Sequence, residues 1–157
     1  MQITMNINGK DVTVHARPTD VLTDILRDHL HLYSVKRGCE VGDCGACTVL
    51  IDGEPVNSCL ILAPRADGKT IVTIEGVGDI YNMHPLQKHL KEAGAFQCGF
   101  CAPGMILTAK ALLDRNPNAT RQAVRDAIYG NLCRCSGYVK IEQAIQKAAA
   151  EMRGEEV

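Results

Sequence analysis

The sequence predicts an α+β fold in two halves, strands first and helices after. Three observations predict it. Apolar residues alternate with period two in several short runs of the first half, two Asn-Gly or Asp-Gly pairs sit where hairpins need them, and from His84 onward the apolar period lengthens to about three and a half. The change falls near residues 76–82, so the chain divides into residues 1–78 and 79–157.

Taken in order, Ile3, Met5 and Ile7 alternate, Asn8-Gly9 supplies the positive-φ pair of a type I′ turn, and Val12 and Val14 alternate on the return strand. Thr19 or Asp20 is placed to cap a helix whose apolar face carries Val21, Leu22, Ile25, Leu26 and Leu30. A glycine- and cysteine-rich loop follows. Thr48 to Ile51 and Glu54 to Asn57 flank Asp52-Gly53 as a second hairpin, and Thr70 to Ile74 reads as a last β-branched strand. In the second half, helices are expected over His84 to Ala93 and Met105 to Arg115, from Thr120, and along Ile141 to Met152. Four short helices suggest a small bundle.

Composition excludes several classes of function. With 46% hydrophobic and 22% charged residues the chain is a folded protein, and a net charge of −1 offers no basic field for nucleic acid or an anionic membrane. No stretch approaches the apolar length of a membrane span, and the N-terminus lacks signal architecture, so direct membrane insertion is not expected and the chain reads as cytoplasmic. Each half is small and poor in aromatics, with no Trp and only two Phe and four Tyr, so bound metal is expected to supply part of the folding free energy.

The eight cysteines indicate where that metal binds. Cys39-x4-Cys44-x2-Cys47, with Cys59 eleven residues further on, is the plant-type ligand spacing for a [2Fe–2S] cluster. Gly38, Gly42 and Gly45 let the chain wrap a cluster and turn amide N–H groups toward sulfur. Zinc and disulfides are the alternatives, but zinc sites usually combine close cysteine pairs. The second set is Cys98-x2-Cys101, joined across 31 residues to Cys133-x-Cys135. Both pairs precede helices, whose N-terminal N–H groups favour thiolates. Spacing alone admits zinc or iron–sulfur there equally, and the neighbouring plant-type loop tips the reading toward iron. His84 and His89 lack the i, i+4 spacing of helical ligands and read as surface histidines. Met105, Ile106 and Leu107 suit either core packing or a subunit interface.

Three motifs together resemble the small, two-[2Fe–2S] subunit of molybdenum-containing hydroxylases, the xanthine dehydrogenase and carbon monoxide dehydrogenase family. They are Gly38-Cys39 through Cys47, Gln97-Cys98-Gly99-Phe100-Cys101, and Gly130-Asn131-Leu132-Cys133-Arg134-Cys135-Ser136-Gly137-Tyr138. The resemblance covers nearly the whole chain. It implies a β-grasp, plant-type ferredoxin-like domain over residues 1–78 and a four-helix bundle-like domain over 79–157, each holding one cluster. It further implies that the cluster of Cys98, Cys101, Cys133 and Cys135 lies next to a molybdenum pterin cofactor in a separate large subunit, and that Gln97 and Cys135 approach the pterin. FAD is expected on a medium subunit, and the assembly is expected to be a dimer of heterotrimers. Ala102 and Ser136 replace threonines common in the family, outside the ligand set.

The implied function is electron transfer. A [2Fe–2S] cluster carries one electron, whereas hydroxylation at molybdenum releases two, so two clusters in series suit stepwise removal. Glu40 and Asp43 are expected to favour the oxidised first cluster, and Arg134 reduction of the second. A free-standing ferredoxin is the competing function, but it would need only the first half and is typically more acidic. A structural zinc protein is the other. No Gly-x-Gly-x-x-Gly or P-loop is present, so nucleotide binding falls to a partner.

Overall fold

Hairpin chemistry organises the first half. In the computed structural model, which describes residues 1–156, β1 (Gln2–Ile7) and β2 (Lys10–His15) pair antiparallel around Asn8 and Gly9, at φ 52° and 82°. β3 (Thr48–Ile51) and β4 (Glu54–Asn57) do the same around Asp52 and Gly53, at φ 51° and 86°. Positive φ at both central residues matches the turn to the strands' right-handed twist. β5 (Thr70–Val72) runs parallel to β1 and antiparallel to β3, giving the sheet order β2-β1-β5-β3-β4. The strand ends two residues sooner than Thr70 to Ile74 because Asn8 captures the next residue: Thr73 N donates to Asn8 Oδ1 at 2.9 Å, and Asn8 Nδ2 donates to Thr73 Oγ1 at 2.9 Å.

One sheet face is covered by α1 (Leu22–Asp24), which runs on into a single π-helical turn over Ile25–His29. Leu22, Ile25 and Leu26 are fully buried against Ile3, Met5, Ile7 and Ile71. The expected cap at Thr19 or Asp20 does not form. Val21 occupies the cap position because it bridges to Leu62, and the first helical N–H, that of Leu22, is satisfied by Ile61 C=O at 2.7 Å. Asp20 instead accepts from Arg17 N and Nε, both at 2.8 Å.

In the second half, α2 (Pro85–Glu92), α3 (Ala102–Arg115), α4 (Arg121–Ile128) and α5 (Tyr138–Met152) share one core that includes Leu86, Leu90, Met105, Leu113, Ile141 and Ile145. Thr120 Oγ1 caps α4 by accepting from Ala123 N at 3.1 Å. α3 begins three residues earlier than Met105, since Pro103 is tolerated in a first turn. The surface reading of the two histidines is corrected. His84 caps α2 through Nδ1, and His89 is buried between α2 and α5 with Nε2 2.6 Å from a Glu151 carboxylate oxygen.

α3 also joins the halves. Leu107 and Ala111 pack on Leu50 across the sheet face opposite α1, so β3 is buried on both sides, as its run Val49-Leu50-Ile51 requires. Met105, Ile106 and Leu107 are therefore core residues rather than an exposed interface. Among the described residues no helix is long and apolar enough to cross a membrane.

Candidate metal centres

The first four cysteines converge because the β3–β4 hairpin returns the chain to its start. Cys39, Cys44 and Cys47 lie on the loop entering β3, and Cys59 lies in the 3-10 turn Ser58–Leu60 that leaves β4. Buried Ser58 fastens that turn beside the loop: its Oγ donates to Cys47 C=O at 2.7 Å and meets Thr23 Oγ1 at 2.7 Å. The loop supplies its own electrostatics. The N–H groups of Val41, Asp43 and Cys44 point at Cys39 Sγ from 3.5, 3.2 and 3.3 Å. The Val41 and Cys44 amides hold the Cys39 thiol down to about 6, so it is largely thiolate at neutral pH. Cys59 moves the other way, to about 11, because burial and the neighbouring Cys47 both oppose its charge.

The second four come from segments far apart in sequence. Cys98 and Cys101 lie before α3, with Cys101 at its N-cap position, and Cys133 and Cys135 lie between α4 and α5. Cys98 and Cys135 sulfurs approach to 3.7 Å. Burial, with Cys133 alongside, pushes the Cys101 thiol up to about 12. Burial also works against the Cys133 thiolate, but the Gly137 N–H and Cys101 outweigh it and hold the group below its ordinary value. Tyr138 Oη accepts from Cys133 N at 2.6 Å, fixing the loop from the first turn of α5.

Each set of four is gathered in one place: Cys44 helps lower Cys39, Cys47 and Cys39 raise Cys59, the Cys98 and Cys135 sulfurs stand 3.7 Å apart, and Cys133 and Cys98 raise Cys101. Among the described residues, no three Cys, His, Asp or Glu side chains converge as ligands of a single ion do. Four thiols per site fit a two-iron cluster, in which each iron takes two thiolates. The amides aimed at Cys39 fit an anionic group. None of the eight cysteines is in a disulfide.

Around these sites, Gln97 is exposed next to Cys98, and Glu40, Asp43 and Arg134 are also exposed. Glu40 lies 3.7 Å from Arg37 Nε. Arg37 is a residue that cysteine spacing does not reveal: it ties the first loop to α1 and the π turn through Asp24 at 2.6 Å and Asp28 at 2.5 Å. Asn131 is another. It was visible only as part of a motif, yet its side chain bridges the two cysteine loops, and the next residue's N–H, that of Leu132, donates to Cys44 C=O at 2.9 Å. A buried polar residue between two ligand motifs is the signal that could have singled it out.

The folds and the two thiol sets define a protein with two iron–sulfur domains, and comparison with known proteins agrees. Residues 5–71 match the 2Fe-2S iron-sulfur cluster binding domain, and residues 73–146 match a [2Fe-2S] binding domain. The nicotinate dehydrogenase small FeS subunit of Eubacterium barkeri is 51% identical over 146 residues, covering 93% of each chain. Quinoline 2-oxidoreductase from Pseudomonas putida 86 contains a chain that superposes with TM-score 0.91 at 45% identity, over 99% of this chain and 98% of that one. The aldehyde oxidoreductase of Desulfovibrio desulfuricans ATCC 27774 superposes with TM-score 0.96 at 45% identity, but this chain spans only 18% of it. The chain belongs to the family of small [2Fe–2S] subunits of molybdenum hydroxylases. It binds two [2Fe–2S] clusters and is an electron-transfer subunit of a multi-subunit oxidoreductase whose substrate chemistry lies on another subunit.

Proposed function

We propose that Cys39, Cys44, Cys47 and Cys59 hold one cluster and Cys98, Cys101, Cys133 and Cys135 the other, in a β-grasp domain over 1–78 and a four-helix bundle-like domain over 79–157 of the xanthine dehydrogenase and carbon monoxide dehydrogenase family. Each cluster supplies a one-electron redox site. The residues around it govern access and charge. Gln97 and Cys135, exposed and half-buried, face a molybdenum pterin cofactor on a large partner subunit. Gln97 offers both amide donors and a carbonyl acceptor to a heterocycle edge. Single electrons pass from the helical-domain site to the plant-type site and on to FAD on a medium subunit, within a dimer of heterotrimers. Eight cysteines used as ligands, with no disulfide among them, suit a reducing compartment, and we place the protein in the cytoplasm.

The observation that carries this reading is the gathering of the eight cysteines into two separate sets of four, one wrapped by its own amides and the other set before two helices. Metal and sulfide analysis of protein purified without oxygen tests it. Iron and acid-labile sulfide in equal amounts are expected, and zinc without sulfide would overturn the assignment.

A further inference from the structure

Asn131 sits where the two cysteine loops meet, and its side chain is almost completely buried. Its Nδ2 donates to Gly45 C=O at 3.1 Å and to Thr48 Oγ1 at 3.2 Å, while its Oδ1 accepts from Thr108 Oγ1 at 2.9 Å. Thr48 Oγ1 donates to the same Gly45 C=O at 2.7 Å. One amide therefore ties the first cysteine loop, the start of β3 and the middle of α3 to the loop that carries Cys133. Because both its nitrogen and its oxygen are paired in a buried place, any sliding of one half against the other leaves a buried polar group unsatisfied.

The approach is close enough to require glycine on both sides. Gly45 has φ +67°, and a Cβ there would stand 2.6 Å from Asn131 Nδ2; at Gly104 of α3 a Cβ would stand 3.0 Å from the same atom. Immediately after Asn131, Leu132 N donates to Cys44 C=O at 2.9 Å. Cys133 follows Leu132 in the chain, so a member of one thiol set is joined to a member of the other through one residue and one hydrogen bond. Electron tunnelling decays less steeply along bonds and hydrogen bonds than across a gap, so a closed contact here favours transfer.

We propose that Asn131 is the positioning residue of the relay: its amide clamps the two loops so that the Leu132 N–H remains on the Cys44 carbonyl and the two metal centres keep a fixed, bonded separation. The transfer served moves one electron, oxidising the second centre and reducing the first, with no bond made or broken. The inference rests on the ligand assignment above and adds the element that couples the two sites.

The test uses the full chain loaded with iron and sulfide, comparing wild type with Asn131→Leu, which removes both polar functions at similar volume, and Asn131→Asp, which sets an acceptor against Gly45 C=O. Two readouts are taken: hydrogen exchange at the Leu132 amide, and spin–spin splitting in the paramagnetic resonance of the fully reduced protein. Both variants are expected to keep the individual spectrum of each centre, to lose about tenfold in Leu132 protection, and to lose or alter the splitting. Thr108→Val, which frees only Oδ1, is expected to give a smaller loss and keeps the test open if a variant at 131 does not fold. Wild-type protection and splitting in these variants would overturn the clamp. Failure of the wild type to show two centres would instead overturn the ligand assignment.

Discussion

Each cysteine site is flanked by an ion-pair fork, the two forks have opposite polarity, and the difference between them follows from where each site comes from in the chain. Beside the first site a single cation, Arg37, reaches two carboxylates one helical turn apart, Asp24 and Asp28. Beside the second a single carboxylate, Glu142 on α5, reaches two guanidinium groups one turn apart on α4, Arg121 and Arg125. Arg37 remains 32% exposed, whereas Glu142 is only 5% exposed. The first loop is contiguous in sequence and closed by its own amides, so its fork is an accessory at the surface. The second site has to be assembled from segments 31 residues apart, so its fork lies in the packing between the helices that frame the Cys133 loop.

The buried fork should be far less dispensable than the exposed one. Glu142→Gln removes the charge that two arginines face, and is expected to cost about 2 kcal/mol in denaturant unfolding, since the arginine heads can recover water. Arg37→Gln is expected to cost under about 1 kcal/mol because its pairs are solvent-screened. Acid sharpens the contrast. Burial alone would raise the Glu142 carboxyl, but Arg125 and Arg121 hold it below its ordinary 4.5. A carboxyl depressed on folding contributes stability that is fully present above pH 4.5 and is lost as pH falls through the lower folded value. The wild type should therefore lose stability on this limb, and the Glu142→Gln protein should show a shallower decline in a pH series of unfolding midpoints.

A smaller effect separates the sites spectroscopically. Tyr138→Phe removes the acceptor for the Cys133 N–H, at about 1 kcal/mol, and frees that amide to turn toward sulfur. The reduction potential of the second centre is expected to rise, with the first centre unchanged. Equal shifts at both centres in a redox titration would contradict the assignment of Tyr138 to the second loop alone.

Legibility in the sequence divides along the same line. The first site was readable because its ligands are local: the 4, 2 and 11 spacing, the glycines and the Asp52-Gly53 hairpin lie in one stretch and depend on little else. The strands and helices were placed within a few residues because alternation, turn pairs and caps are local too. The exceptions were settled by tertiary contacts: Val21 pairing with Leu62, and Asn8 holding Thr73. At the second site spacing alone leaves zinc and iron level, since no local pattern says which sulfurs meet. His89 could not be read as buried, because its partner Glu151 lies 62 residues away on α5. The same distance in sequence hid Asn131, whose partners Gly45 and Thr48 belong to the other half.

In the proposed relay the two thiol sets act in series, with the helical-domain site nearer the chemistry. Substitution of Cys101, the buried ligand at the N-cap position of α3, tests it in the assembled holoenzyme. In Cys101→Ser the first centre should keep its optical spectrum and remain reducible by dithionite, yet no longer be reduced by substrate. Reduction of the first centre by substrate at the wild-type rate would contradict an obligatory path through the second site.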